Sequence, residues 1–227
     1  MQKDKPSGTD DAFPIGRALS AVRKMTGRWK TPAVTVFANQ RRSAFMILVS
    51  TVLSLRTKDE TTGVASRRLF KRARTPRGML RLSVEEIVEL IYPVGFYNVK
   101  AKNLLQISEI LIERHGGKTP KDMEALLSLP GVGRKTANLV LTLGHGLPGI
   151  CVDIHVHRIT NRWGYVTTKN PDQTEFALRE ILPKRYWIPI NDWLVSYGQN
   201  LCAPTSPKCS ECPIERHCAK VGVTRSR

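Results

Sequence analysis

The stretch LPGVGRKTANLV, residues 129–140, places two glycines and a proline directly before an apolar segment. The residues before it, KDMEALLSLP (121–130), have apolar side chains at helical spacing, and Pro130 is expected to end that helix. Gly131 and Gly133 allow a tight turn, and a second helix is expected to begin near Arg134. The stretch therefore predicts a helix, a turn and a second helix over about residues 121–144.

A nucleotide-binding loop is the first alternative for this glycine-rich turn. That loop needs the pattern G-x-x-x-x-G-K-[ST] after a strand, whereas here the glycines are two residues apart and a helix precedes them. The turn amides and the N-terminus of the second helix instead form a site for one backbone phosphate, at Gly131, Val132, Gly133 and Arg134. An ordinary helical hairpin with no ligand remains an alternative.

Lys135 lies in the first turn of the second helix, where the helix dipole is positive. A cation is disfavoured there, by roughly 0.3–1 kcal/mol when it is exposed. A nucleophilic amine has to lose its proton, and positive surroundings with partial burial promote that loss. Lys135 is therefore a candidate nucleophile, with phosphate binding as the simpler alternative.

The charge of the chain favours a polyanionic partner. Its 227 residues include 36 Lys and Arg against 19 Asp and Glu, a net charge of +17. Nucleic acid fits this surface better than an anionic membrane, because no basic amphipathic segment or lipidation pattern is evident. The N-terminal residues lack a signal-peptide core and no run of 18 apolar residues occurs, so we expect a cytoplasmic, nucleoid-associated protein without a membrane partner.

Helical spacing recurs along the chain, and few segments alternate as strands do. In AFMILVSTVLSL (44–55) the apolar residues are nearly continuous, as in a buried helix, and KAKNLLQISEILIERHGG (100–117) is periodic up to a Gly-Gly pair. Ser83 and Glu86 form a capping-box pattern at the start of SVEEIVELIYPVG (83–95). We therefore predict an all-α protein.

Seven basic residues and no acid lie between Arg67 and Arg81. This stretch is either a solvated helix face or a surface that faces DNA, and the sequence does not decide between them.

Four of the five cysteines lie in the last 26 residues, as C-x6-C-x2-C-x5-C at Cys202, Cys209, Cys212 and Cys218. In a reducing compartment this clustering indicates a metal site rather than disulfides. Structural zinc usually has two close Cys pairs and only one is present, but the spacing alone permits either zinc or an iron–sulfur cube. The fifth, Cys151, is predicted to be a buried structural thiol.

DIHVH (153–157) is a second pattern that could hold a metal. Two residues apart on a helix, His155 and His157 would point about 200° away from each other, whereas on a strand they would share a face. Asp153 followed by IHVHRITNRW is typical of a helix cap followed by a helix, so we expect capping rather than metal binding.

Together these motifs resemble the endonuclease III family, in the helix-hairpin-helix superfamily of DNA glycosylases. The resemblance rests on LPGVGRKTANLVL (129–141), on VDIHVHR (152–158), on the cysteine spacing, on GFYNVKAKNL (95–104) and more loosely on LSLRTKDE (53–60). It extends from about residue 17 to residue 218.

The resemblance implies roles for named residues. Lys135 falls on the family's nucleophile, Asp153, eighteen residues later, on its essential aspartate, and the four cysteines on its [4Fe-4S] loop. Residues implied to contact DNA lie in three loops: Phe96 and Tyr97 as a wedge, Lys208 between the first two cysteines, and Arg56 where family members often have a glutamine. Phe96 and Tyr97 could instead be core aromatics.

We therefore expect a two-lobed, all-helical helix-hairpin-helix DNA glycosylase fold. Residues 37–147 would form a six-helix barrel lobe, and residues 1–36 with 148–227 the iron–sulfur lobe, with the DNA cleft between them. The expected protein is a monomeric DNA glycosylase and AP lyase that excises oxidised pyrimidines from double-stranded DNA and cuts at abasic sites by β-elimination. The alternatives are a monofunctional mismatch glycosylase and a non-catalytic iron–sulfur DNA-binding protein.

Overall fold

The structure, a computed structural model, describes residues 13–29, 34–35 and 43–227. These residues form helices and turns and, within the described ranges, no strand, which confirms the predicted all-α class. The α-helices are α1 (Ile15–Thr26), α2 (Ala44–Ser54), α3 (Asp59–Arg72), α4 (Pro76–Met79), α5 (Val84–Ile91), α6 (Tyr97–His115), α7 (Met123–Leu127), α8 (Arg134–Leu139), α9 (Ile154–Arg162), α10 (Pro171–Ile181) and α11 (Pro189–Asn200). Three short 3-10 turns lie at Lys184–Tyr186, between α10 and α11, and at Cys209–Glu211 and Glu215–His217, after α11.

Local signals in the sequence set several helix ends. The N–H of Glu86 donates to Oγ of Ser83 at 3.1 Å and the N–H of Ser83 donates to the Glu86 carboxylate at 2.9 Å, so the predicted capping box is confirmed. Helix α6 begins at Tyr97, before the predicted residue 100, and ends where Gly116 takes the left-handed conformation with φ 57°.

Helix α2 is the centre of the first core. All of its residues from Phe45 to Leu53 are buried, as the apolar run predicts, and α2 packs against α3, α6 and α8. The hydroxyls of Ser50 and Thr51 donate to the carbonyls one turn earlier at 2.8 Å, so they are buried without loss of hydrogen bonds. Among the described helices, none is both long and apolar enough to cross a bilayer.

The buried apolar side chains form two clusters. The first contains Val34 and side chains from Phe45 to Leu141, and the second joins α1 to side chains from Ile150 to Ile214. The chain therefore returns its N-terminal helix to its C-terminal third, where α1 packs against α11. The predicted lobe boundaries at 37 and 147 stay a prediction, and residues 36–42 lie outside the described ranges.

The hairpin forms as predicted, with two differences. Helix α7 ends at Leu127, short of Pro130, because the residue before a proline disfavours the helical conformation. Helix α8 begins at Arg134 and continues as a π-helical turn, Val140–Gly144, which the periodicity did not predict. At its end Gly144 packs on α2 so closely that a Cβ would lie 3.1 Å from Cα of Ala44.

Candidate active site

The turn between α7 and α8 exposes backbone rather than side chains. Gly131 has φ 74°, and a Cβ there would lie 2.6 Å from Nδ2 of Asn103, so the position requires glycine. Val132 is buried and its N–H donates to the Leu129 carbonyl at 3.1 Å, which fixes the turn. Gly133 caps α8 without a side-chain hydrogen bond, so the first N–H groups of the helix are available to an external anion.

Lys135 and Asp153 meet where α8 and α9 both begin. Nζ of Lys135 lies 3.6 Å from Oδ2 of Asp153, and the lysine side chain is 40% exposed while the carboxylate is 6% exposed. The other oxygen of Asp153, Oδ1, accepts the N–H groups of His155 at 2.8 Å and Val156 at 3.0 Å. Asp153 is thus the helix cap that the sequence predicts, and it still presents one oxygen to the lysine.

This pair opens onto a pocket of about 300 Å³. Elements from both cores contribute to its wall, since α2, α3, α8, α9 and α11 each supply side chains. The lining residues are Val34, Thr35, Ser54, Thr57, Lys58, Asp59, Lys135, Leu139, Asp153, Ile154, His155, Asn191, Val195 and Gln199. A pocket of this size can admit a single extruded nucleotide beside the amine.

The histidines of DIHVH each have a side-chain partner within the protein. They lie on α9, where Nδ1 of His157 hydrogen-bonds to Oγ1 of Thr174 at 2.7 Å and Nδ1 of His155 lies 3.0 Å from the Arg158 guanidinium. Burial lowers the pKa of both imidazoles, so both favour the neutral form. In the part of the chain that the structure describes, no group of His, Cys, Asp or Glu is placed to hold a metal ion.

Arg134 has a carboxylate partner that the sequence did not predict. Its Nε and NH2 donate to Glu175 at 3.0 and 2.8 Å, and Arg179 donates to the same carboxylate at 3.0 and 2.8 Å. Burial alone would raise the pKa of Glu175, but the hydrogen bonds from Arg134 and Arg179 outweigh it and lower that pKa. The Arg134 guanidinium thus ties α8 to α10 and is engaged within the protein.

Phe96 and Arg56 lie together at the tips of two loops. Phe96 is 59% exposed, which excludes the core alternative for this residue, and the Arg56 guanidinium lies 5.5 Å from the centre of its ring. Tyr97 is half-buried against the first core and packs edge-on against Tyr92, with ring centres 5.3 Å apart. The structure therefore presents Phe96 as the exposed aromatic, with Tyr97 supporting it.

The four cysteines of the C-terminal motif line one largely apolar cavity beneath the second core. NH1 of Arg162 donates to Sγ of Cys202 at 3.5 Å, and the hydroxyl of Tyr197 lies 2.9 Å from Sγ of Cys212. Lys208, which lines the same cavity, is half-buried there. Cys151 lies apart from this set, fully buried beside Lys135, with its thiol 3.7 Å from the Lys135 carbonyl oxygen, as a structural thiol should be.

The basic stretch from Arg67 to Arg81 covers the end of α3 and helix α4. Most of its side chains are exposed, but Arg72 pairs with Glu86 at 3.2 Å, Nε of Arg74 donates to the Phe70 carbonyl at 2.8 Å and Arg68 donates to the Tyr92 carbonyl. Three of the cations therefore have partners within the lobe.

Comparison with known proteins identifies the family to which this chain is similar. The profile of the HhH-GPD superfamily of base excision DNA repair proteins matches residues 49–184. Endonuclease III of Thermotoga maritima is 48% identical over 174 residues, which is 77% of this chain and 82% of that protein. Endonuclease III of Escherichia coli is 39% identical over 176 residues, covering 78% of this chain and 83% of the relative.

Two solved structures are similar over most of their length. A non-covalent complex of endonuclease III with DNA superposes with a TM-score of 0.81 at 32% identity, covering 91% of this chain and 94% of that one. A trapped covalent endonuclease III–DNA intermediate, in an estranged-adenine complex, superposes with a TM-score of 0.79 at 31% identity over the same shares.

Proposed function

The chain belongs to the endonuclease III family of the HhH-GPD superfamily and is a DNA glycosylase and AP lyase of base excision repair, in which we propose that Lys135 is the nucleophile and Asp153 its partner. The observation that supports these roles is the 3.6 Å approach of Nζ of Lys135 to Oδ2 of Asp153, at a pocket large enough for one nucleotide.

The first step removes the base. Nζ of Lys135, having given a proton to Oδ2 of Asp153, forms a bond to C1′ of the extruded nucleotide while the bond from C1′ to the base breaks. The base leaves with the bonding electron pair and takes up a proton. Once Oδ2 of Asp153 has passed this proton on to the departing base, the buried carboxylate is again negative and stabilises the positive charge on the sugar.

The second step cuts the strand. The sugar ring opens and the amine and C1′ form a Schiff base, whose positive nitrogen makes the C2′ proton acidic. Loss of that proton breaks the bond between C3′ and its oxygen, and the phosphate leaves on the 3′ side. Water then hydrolyses the Schiff base and regenerates Lys135. A lysine at position 135 favours this route over the monofunctional mismatch alternative, which needs no amine.

Two parts of the molecule would contact DNA: the turn between α7 and α8, and the loops that carry Arg56 and Phe96. The N–H of Val132 closes the turn, so the amides of Gly131, Gly133 and Arg134 would hold one backbone phosphate without selecting a base. Phe96 would stack in the space that the extruded nucleotide leaves, and Arg56 beside it would hydrogen-bond the orphaned base. By family resemblance the excised base is an oxidised pyrimidine, and we expect the protein to act as a monomer.

The cysteine motif would hold a [4Fe-4S] cluster. Its four thiols line a single apolar cavity, and by family resemblance they would hold a cube rather than zinc. When bound, the cluster would supply structural cross-linking of the C-terminal loop. Arg162, which contacts Cys202, would offset part of the negative charge of the thiolates.

Borohydride trapping tests the proposed function. Duplexes that carry an oxidised pyrimidine, a mismatched normal base or an abasic site are incubated with the protein and sodium borohydride, and the products are separated by denaturing electrophoresis. We expect a covalent adduct with the duplexes that carry the oxidised pyrimidine and the abasic site. Without borohydride, the same two duplexes should give a β-elimination product. Base release without any adduct would instead establish the monofunctional alternative, and binding without base release the non-catalytic one.

A further inference from the structure

Lys100 is a buried lysine on the first turns of α6. Its side chain is 5% exposed, and its Nζ donates to the carbonyls of Leu53 at 2.8 Å and Leu55 at 2.6 Å and to Oγ1 of Thr57 at 3.1 Å. Two of these acceptors are carbonyls at the end of α2, which have no partner within that helix. The ammonium group of Lys100 therefore caps α2 from another helix.

Thr57 extends this contact to a second loop. Its Oγ1 accepts from Lys100 and also from the N–H of Gly95, at 3.0 Å. Gly95 packs directly on the other loop, since a Cβ on it would collide with the carbonyl oxygen of Arg56. The residues after α2 and the residues before α6 are thus joined through one hydroxyl and one ammonium.

The tips of these two loops are the residues that face DNA in the proposed function. Arg56 has φ 51° and Phe96 has φ 58°, conformations that non-glycine residues adopt only when their surroundings impose them. Both side chains are exposed, and the Arg56 guanidinium lies 5.5 Å from the centre of the Phe96 ring. The hydrogen bonds of Lys100, Thr57 and Gly95 beneath the tips account for the left-handed backbone conformation of both residues.

We propose that Lys100 is a positioning residue that locks the Arg56 loop to the Phe96 loop, so that the wedge and the group facing the orphaned base enter the duplex as one rigid unit. This inference rests on the proposed function, because it assigns both tips to the duplex. Stability alone is a weak reason for the lysine, since burying an ammonium is costly and an apolar side chain of similar length would fill the same space.

The test compares two substrates with the same reacting sugar. An abasic site in a duplex requires extrusion and wedge insertion, whereas the same site in a single strand has no partner strand to separate. Lys100→Met keeps the packed stem and removes the donors. Lys102→Met removes one positive charge from an exposed position on the same helix and is the matched control. Gly95→Ala keeps Lys100 and instead pushes the two loops apart, because the new Cβ would collide with the carbonyl oxygen of Arg56.

Two readouts are measured under single-turnover conditions: the ratio of duplex to single-strand cleavage rates, and the fluorescence of 2-aminopurine placed opposite the abasic site. For Lys100→Met and Gly95→Ala the ratio should fall by about tenfold to a hundredfold, as expected for misplaced positioning groups, and the fluorescence rise on binding should shrink. Lys102→Met should match the unsubstituted protein in both readouts.

The proposal would be overturned if Lys100→Met and Gly95→Ala left the ratio of duplex to single-strand cleavage rates unchanged, whether or not both rates fell. If Lys100→Met does not fold, the result with Gly95→Ala decides. A protein that cuts neither substrate in its unsubstituted form contradicts the proposed function instead, while the fluorescence comparison still tests the role of Lys100.

Discussion

Asp153 uses its two carboxylate oxygens for different purposes. Oδ1 caps α9 through two backbone N–H groups, and Oδ2 faces Nζ of Lys135. The cap fixes the orientation of the carboxylate, because rotating the side chain toward the lysine would break both hydrogen bonds. The structural and the catalytic explanations of this residue are therefore compatible.

Asp153→Asn separates the two roles. Asparagine caps helices as well as aspartate does, so the midpoint of thermal unfolding should stay within a few degrees of that of the unsubstituted protein. Its amide cannot accept the lysine proton, so single-turnover cleavage at an abasic site should fall by about a hundredfold to ten-thousandfold. Cleavage within twofold of the original rate would show that the carboxylate serves only as a cap.

The buried amine of Lys100 makes stability depend on pH. Burial lowers its pKa from 10.5 to about 8, so between these values the unfolded chain binds a proton that the folded chain has released. The free energy of unfolding should therefore rise relative to that of Lys100→Met as the pH increases from about 8 toward 10. Urea denaturation of both proteins at several pH values measures this difference, and a free energy of unfolding of the unsubstituted protein, minus that of Lys100→Met, that stays flat or falls with rising pH contradicts it.

At the scale of elements, one buried carboxylate joins α8 to α10. Glu175 is buried and accepts hydrogen bonds from Arg134 on α8 and from Arg179 on its own helix. Since Arg134 directly precedes Lys135, this contact holds the start of α8, and with it the proposed nucleophile, against α10.

Glu175→Gln should weaken that attachment. The substitution leaves two guanidinium groups without their negative partner, and disrupting a buried pair in this way costs about 3–5 kcal/mol. Chemical denaturation measures the loss, with Glu180→Gln at an exposed position of the same helix as the control. A loss no greater than that of the control would mean that the arginines are satisfied without Glu175.

Sequence patterns predict the elements better than the contacts between them. The capping box at Ser83, the buried run of α2 and the start of α8 at Arg134 follow from local spacing and were confirmed. The partnership of Arg134 with Glu175 joins residues 41 positions apart, and the burial of Lys100 depends on how α2 and α6 pack. No local pattern contains that information, because a charged residue on a helix is ordinarily exposed.

For the whole molecule, the C-terminal loop closes the second core. Arg162 at the end of α9 donates to Cys202 and, at 2.6 Å, to the Ala203 carbonyl, and Tyr197 of α11 reaches Cys212. A cluster bound to the four cysteines would complete these attachments from residue 202 to residue 218.

Cys212→Ser tests the cluster. Loss of one thiolate should remove most of the bound iron and the broad visible absorbance, and should destabilise the second lobe. Cys151→Ser, at the buried cysteine outside the motif, should keep both signals. Iron, zinc and acid-labile sulfide are measured per chain for the purified proteins, and zinc in place of iron, or iron retained by Cys212→Ser, would contradict the assignment.

The central claim is that the amine of Lys135 becomes bonded to the DNA. Borohydride-trapped adducts of the unsubstituted protein and of Lys135→Ala with an abasic duplex, followed by proteolysis and mass spectrometry of the DNA-linked peptide, measure this directly. The modified residue should be Lys135, in a peptide that contains LPGVGRK, and Lys135→Ala should fold and bind the duplex but give no adduct. An adduct at another lysine, or one that persists in Lys135→Ala, would contradict the claim.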